Sequence, residues 1–143
     1  MTTNYDRTFL AIDYGSRRIG LAKSDPMGII ASALVTLTVT SMPDAVAKVG
    51  RVITEFQPNA IVVGYPLHES GEKSVKCIEI DSFIAKLSNQ YKGPIHRVDE
   101  FDSSNEAARI VHAHGKKTGS DKGRIDRLAA VIILQRFLEG NPS

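Results

Sequence analysis

The feature that most constrains this chain is the stretch Thr8-Phe9-Leu10-Ala11-Ile12-Asp13-Tyr14-Gly15-Ser16-Arg17-Arg18-Ile19-Gly20-Leu21-Ala22-Lys23-Ser24-Asp25. An apolar run climbs to one carboxylate, turns through Gly-Ser-Arg-Arg and descends through a second apolar run. Phe9 to Ile12 reads as a buried strand and Ile19 to Ala22 as its antiparallel partner. Asp13 then stands at the end of a buried strand, where a carboxylate needs a partner. A metal ion, or a phosphate-bearing ligand bound through one, would be such a partner. Capping the turn through the amides of Gly15 or Ser16 would serve as well. The stretch alone leaves both open.

The 143 residues suit one domain with one core. Residues 1–7 are polar and read as a loose tail, leaving 8–140 as a single domain. The longest apolar runs are strand-length, and the N-terminus lacks the basic-then-apolar form of a signal peptide, so a cytoplasmic protein is expected. The single cysteine, Cys77, excludes an internal disulfide and reads as a buried small apolar group. A net charge of +2 is too mild to indicate nucleic-acid binding, so any basic face must come from clustering. Arg17-Arg18 cluster beside Asp13, and Lys116-Lys117, Lys122, Arg124 and Arg127 cluster near the C-terminus.

After the hairpin, the turn Asp25-Pro26-Met27-Gly28 leads into a third strand over Ile29 to Val39, most simply paired to the second as a meander. Ser41 or Asp44 caps a helix with Pro43 in its first turn and Val46, Val49, Ile53 and Phe56 on one face. Ala60 to Val63 reads as a strand buried on both faces. His68 to Lys73 is a polar loop. A second helix is expected over Ser74 to Gln90, with Ile78, Phe83, Ile84 and Leu87 in the core, followed by a strand over Ile95 to Val98. A third helix starts near Ser103 or Ser104, with Ser103 and Glu106 in the spacing of a capping box. After a basic, glycine-punctuated loop the last helix is expected over Arg124 to Leu138. Strands joined through helices run parallel with right-handed crossovers, so the predicted sheet is mixed: an antiparallel meander followed by parallel strands.

Three acidic positions fall at element ends. Asp13 ends the first strand, Asp99-Glu100 end the fifth, and Asp126 lies in the first turn expected for the last helix. Ligands gather at the carboxyl ends of parallel strands, where Asp13 and Glu100 converge if strands one and five share that edge of the sheet. Taken singly, each acid has a structural explanation: a turn cap, a loop-end pair or a partner of the helix dipole. Two carboxylates about 4 Å apart repel by roughly 4 kcal/mol at an effective dielectric near 20, so converging acids call for a cation or a shared proton. The four histidines have no cysteine partners at zinc spacing, which argues against zinc.

The stretch Ala11 to Ala22 resembles the opening motif of the YqgF family, the RuvC-like relatives of Holliday-junction resolvases. Ile61-Val62-Val63-Gly64-Tyr65-Pro66-Leu67 with Gly71 resembles that family's second motif, Val98-Asp99-Glu100 its third, and Ile125 to Gln135 its final helix. The four motifs occur in order and span nearly the whole chain. The resemblance implies an α/β, ribonuclease-H-like fold with a mixed five-stranded sheet and helices on both faces. It also implies a divalent-metal-dependent endonuclease that trims the 5′ end of precursor 16S ribosomal RNA. Carried over by position, the catalytic and metal-binding acids are Asp13, Glu100 and Asp126, with Asp99 orienting a ligand beside them. Two Mg²⁺ or Mn²⁺ ions would activate water and offset charge on the phosphate, with Asp13 bridging them. Arg17, Arg18, Lys122 and Arg124 are expected on backbone phosphates. RuvC resolvases carry an acid after the fourth strand, a place taken here by Gly64-Tyr65-Pro66. The family's third motif normally continues with arginine, whereas Phe101 and Asp102 follow here, which implies weakened catalysis or an altered substrate.

Partners expected on this reading are precursor rRNA or a ribosomal particle, with branched DNA as the alternative; no membrane is involved, and the protein is a monomer or a homodimer. A resolvase, which cuts two strands symmetrically, is expected to be a dimer. Two other classes compete. One is an actin- or sugar-kinase-like phosphotransferase, whose phosphate loop also reads Asp-x-Gly-Ser/Thr; that class needs two such loops, and Asp13 to Ser16 has no second copy. The other is an RNA- or ribosome-binding module that keeps the fold with weak catalysis.

Overall fold

Strand pairing places the opening hairpin at the centre of a five-stranded sheet. The structure is a computed structural model that describes residues 8–66, 75–100, 103–113 and 121–140. Its strands are β1 (Phe9–Asp13), β2 (Arg18–Ser24), β3 (Ala31–Thr38), β4 (Ala60–Tyr65) and β5 (Ile95–Asp99). The helices are α1 (Met42–Phe56), α2 (Val75–Leu87), α3 (Ser103–Ala113) and α4 (Asp121–Gly140). The strand order is β3-β2-β1-β4-β5. β1 to β3 form the antiparallel meander, and β1, β4 and β5 run parallel, as the helix-linked order requires. The carboxyl ends of these three strands, and with them Asp13 and Glu100, therefore lie along one edge.

Alternation along the strands divides two cores. Leu10, Ile12, Ile61 and Val63 face α1 and α2, where they meet Val49, Ile53, Phe83 and Leu87. Ala11, Ala22 and Val62 face α4 and meet Ala130, Ile133 and Leu134. Two alanines on the α4 side let that helix lie close to the sheet, and Gly20 lets it lie closer still. A Cβ on Gly20 would collide with the backbone carbonyl of Asp126. Gly20 is also the register partner of Asp13, so β1, β2 and α4 are locked together where the acids lie.

Several boundaries differ from the sequence reading. β3 starts at Ala31, because the Asp25 carboxylate accepts the amides of Ile29 (2.7 Å) and Ile30 (2.8 Å) and holds them in the turn. Ser41 caps α1, accepting the Asp44 amide at 3.2 Å, while Asp44 accepts the Thr40 amide at 3.0 Å. α2 presents Cys77, Ile80, Phe83, Ile84 and Leu87 to the core. That phase turns Ile78 to the surface, where it is exposed rather than buried. α4 begins three residues before Arg124, so Asp126 sits in its second turn and the helix-dipole explanation weakens. The Ser103 hydroxyl is buried without a hydrogen-bond partner among the described residues, and Glu106 pairs with Arg136 at 3.5 Å, so the expected capping box does not form. The N-terminal tail, the His68–Lys73 loop, Phe101 and Asp102, and the 114–120 part of the basic loop lie outside the described residues.

Candidate active site

The sheet delivers Asp13 from its most enclosed strand. Its neighbours Leu10, Ala11 and Ile12 are fully buried, and Asp13 itself is only 7% exposed. Burial pushes its carboxyl up to about 7; the Lys76 ammonium pulls against that rise, while the charges of Glu100 and Asp126 add to it. Asp13 thus lies within electrostatic reach of both other acids.

Glu100 follows β5 directly. Its amide donates to the Tyr65 carbonyl at 3.0 Å, extending the β4–β5 ladder by one bond. One carboxylate oxygen, Oε2, accepts Lys76 Nζ at 2.9 Å, while Oε1 is buried with no hydrogen-bond partner among the described residues. Gly64 makes room for this side chain: a Cβ there would lie 3.2 Å from the Glu100 Cβ and press on Ile133. A side chain at this end of β4 would therefore crowd both Ile133 and Glu100. From the helical side, Asp126 Oδ2 accepts Arg18 Nε at 2.6 Å. A cavity of about 290 Å³ opens between these groups, lined by Asp13 to Arg18, Lys76 and Asp126.

The other sequence-derived candidates take different places. Alternation along β5 puts Asp99 on the face of Ile95, opposite Val98, and its carbonyl accepts Arg136 at 3.0 Å. Arg17 lines the cavity and is exposed, whereas Arg18 is committed to Asp126. Lys122 is exposed and lies four residues before Asp126, on the same face of α4; Arg124, two residues before it, lies on a different face.

Lys76 is the site residue that sequence reading missed. A lysine in the first turn of a helix opposes the dipole, so a nearby anion is needed to compensate; that was the signal available. Its helix is fastened to the strand ends by a polar link. Tyr65 Oη donates to Asp81 at 3.1 Å, and Arg97 donates to the other Asp81 oxygen at 3.0 Å.

The donors suit a hard divalent cation: all are carboxylate oxygens, one buried oxygen lacks a partner, and Asp13 is costly to ionise without added positive charge. Among the described residues no three acidic, histidine or cysteine side chains are gathered tightly enough to hold one ion as they stand. Arg18 and Lys76 engage two of the carboxylates instead.

Comparison with known proteins identifies the family and the fold. A model of the family described as RuvX, Holliday junction resolvase, matches residues 7–140. A protein of Koribacter versatilis named "Putative pre-16S rRNA nuclease" is 41% identical over 130 residues, covering 91% of this chain and 85% of the relative. One of the same name from Chlorobaculum tepidum is 35% identical over 144 residues, covering 99% of both. Among solved structures, Thermus thermophilus RuvC superposes with a TM-score of 0.59 at 17% identity, covering 93% of this chain and 95% of RuvC. The fowlpox virus resolvase, in its complex with Holliday junction DNA, superposes with a TM-score of 0.60 at 11% identity, covering 93% and 97%. Both likenesses place the sheet and its helices in the fold of RuvC-like resolvases. Because the family match runs without a break through every element that builds the acidic edge, from β1 to α4, the chain belongs to the RuvX family.

Proposed function

We propose that this protein is a divalent-metal-dependent endonuclease that trims the 5′ end of precursor 16S ribosomal RNA, with residues 8–140 as its nuclease domain. The nuclease class follows from family membership and from relatives named as pre-16S rRNA nucleases. The observation that supports the site assignment is a cavity lined by Asp13, Asp126 and Lys76, with Glu100 paired to that lysine and its charge, like that of Asp126, acting on Asp13.

Asp13, Glu100 and Asp126 would hold Mg²⁺ or Mn²⁺, which when bound supplies an activated water and offsets charge building on the phosphate. The protein's own part is positional. β1 fixes Asp13, the end of β5 fixes Glu100, and the close approach of α4 to Gly20 fixes Asp126. The buried walls keep the carboxylates' mutual field strong by limiting water. Arg17, exposed at the cavity, and Lys122, exposed on α4, would contact backbone phosphates. Asp99 orients the edge of the site through its backbone rather than facing the cavity.

The family's description names Holliday-junction resolution, so four-way DNA is the alternative substrate. A cleavage panel separates the two. Purified protein is given single-stranded RNA spanning the 5′ precursor junction, duplex RNA, or a four-way DNA junction, each with Mg²⁺, Mn²⁺ or EDTA. Metal-dependent cutting of the precursor RNA alone is expected. Cutting of the junction alone would transfer the assignment to resolution, and no cutting in any arm would reduce the protein to a binding module.

A further inference from the structure

We propose that Lys76 is a built-in counter-ion: in the metal-free protein its ammonium occupies the acidic site, and a divalent cation must displace it to bind. The inference rests on the metal-site reading above and adds to it a residue from outside the acidic set.

Lys76 Nζ lies 2.9 Å from Glu100 Oε2, and Lys76 lines the same cavity as Asp13 and Asp126. The two partners differ in freedom. The Glu100 side chain is 10% exposed and anchored behind β5, whereas the Lys76 side chain is 42% exposed at the rim. The lysine can therefore swing its flexible stem into water while the carboxylate stays in place. Its position in the first turn of α2 gives it no support from that helix's dipole. Arg18 does the same for Asp126 at 2.6 Å, and between them two cations accompany three carboxylates. Among the described residues Glu100 Oε1 has no hydrogen-bond partner, and Lys76 reaches the other oxygen. A cation coordinating both would gain a contact that the ammonium does not make. Monovalent side chains thus keep the empty site intact, and exchange for a divalent ion exposes a lysine.

Calorimetric titration of the full-length chain with Mn²⁺ tests this, comparing wild type with Lys76→Met, Lys76→Gln, Lys76→Arg and Asp13→Asn. Removing a competing cation is expected to tighten Mn²⁺ binding by at least about fivefold in Lys76→Met and Lys76→Gln, the lower end of ordinary coupling between sites. Lys76→Arg keeps the charge and should stay within about twofold of wild type. Without metal, Lys76→Met should melt below wild type, and saturating Mn²⁺ should raise its melting temperature by the larger amount. A static, merely structural ion pair predicts the opposite sign: unchanged or weaker Mn²⁺ binding in both uncharged variants, which would overturn the proposal. If Asp13→Asn abolishes Mn²⁺ binding while the Lys76 variants bind as wild type does, the metal site stands and the counter-ion alone fails. If wild type takes up no Mn²⁺, both fail together.

Discussion

Asp13 holds the site's chemistry in one titration. Its carboxyl titrates near 7 in the folded chain, against an ordinary value of 3.8. Between those two values the folded state keeps a proton that the unfolded state has lost. Stability from this group is therefore fully present below about pH 4 and is lost as pH rises toward 7, by up to about 4 kcal/mol. Asp25 and Asp44 are shifted downward by backbone hydrogen bonds, so their titrations fall below this window. Urea unfolding in EDTA should show lower stability at pH 8 than at pH 5, and saturating Mn²⁺ should remove or reverse the difference. A flat profile in EDTA would mean that Asp13 is not desolvated as the fold implies. The position of Asp13 was legible from sequence because an acid closing a strand of Phe, Leu, Ala and Ile is locally conspicuous. Lys76 was not, because its one local sign, a lysine in the first turn of a helix, points to no particular anion until α2 is laid against the end of β5.

At the scale of elements, the contact between β2 and α4 decides where Asp126 points. Gly20 offers no Cβ, and the Asp126 carbonyl fills that space. Gly20→Ala should force α4 outward, costing about 1–3 kcal/mol of stability as overpacking does. It should lower metal-dependent cleavage more than the loss of folded protein explains, measured at a temperature where both proteins remain folded. Wild-type turnover in a folded Gly20→Ala protein would show that the β2–α4 contact does not position the acid. The hairpin, the meander and α1 could be read from local pattern and capping residues. The phase of α2 could not: Ile78 and Ile80 are equally apolar, and only packing against Tyr14 and β4 selects Ile80 for the core. Ser103 misled for a related reason. Its hydroxyl has the right spacing for a cap, but it is buried inside the helix with no hydrogen-bond partner among the described residues.

At the scale of the whole molecule, alternating strands and helices foretold the mixed sheet, but not the strand order. β4 lies between β1 and β5, and its Gly64 leaves room for the Glu100 and Ile133 side chains. That long-range order is set by packing between distant segments, which local pattern does not carry, whereas the fold class followed from resemblance to a family whose match covers residues 7–140. The departure at Phe101 and Asp102 lies outside the described residues, so its effect is a matter for activity measurements. The central claim is that Asp13 anchors a metal-dependent phosphodiesterase site, and one comparison tests it most directly: Mn²⁺-dependent cleavage of a 5′ precursor-16S oligonucleotide by wild type and by Asp13→Asn. The substitution should cut the rate by more than the roughly 10–100-fold typical of losing a metal ligand's outer partner. Its melting temperature in EDTA should stay at or above that of wild type, since a buried acid is replaced by a neutral amide. Cleavage by Asp13→Asn at the wild-type rate would contradict the assignment.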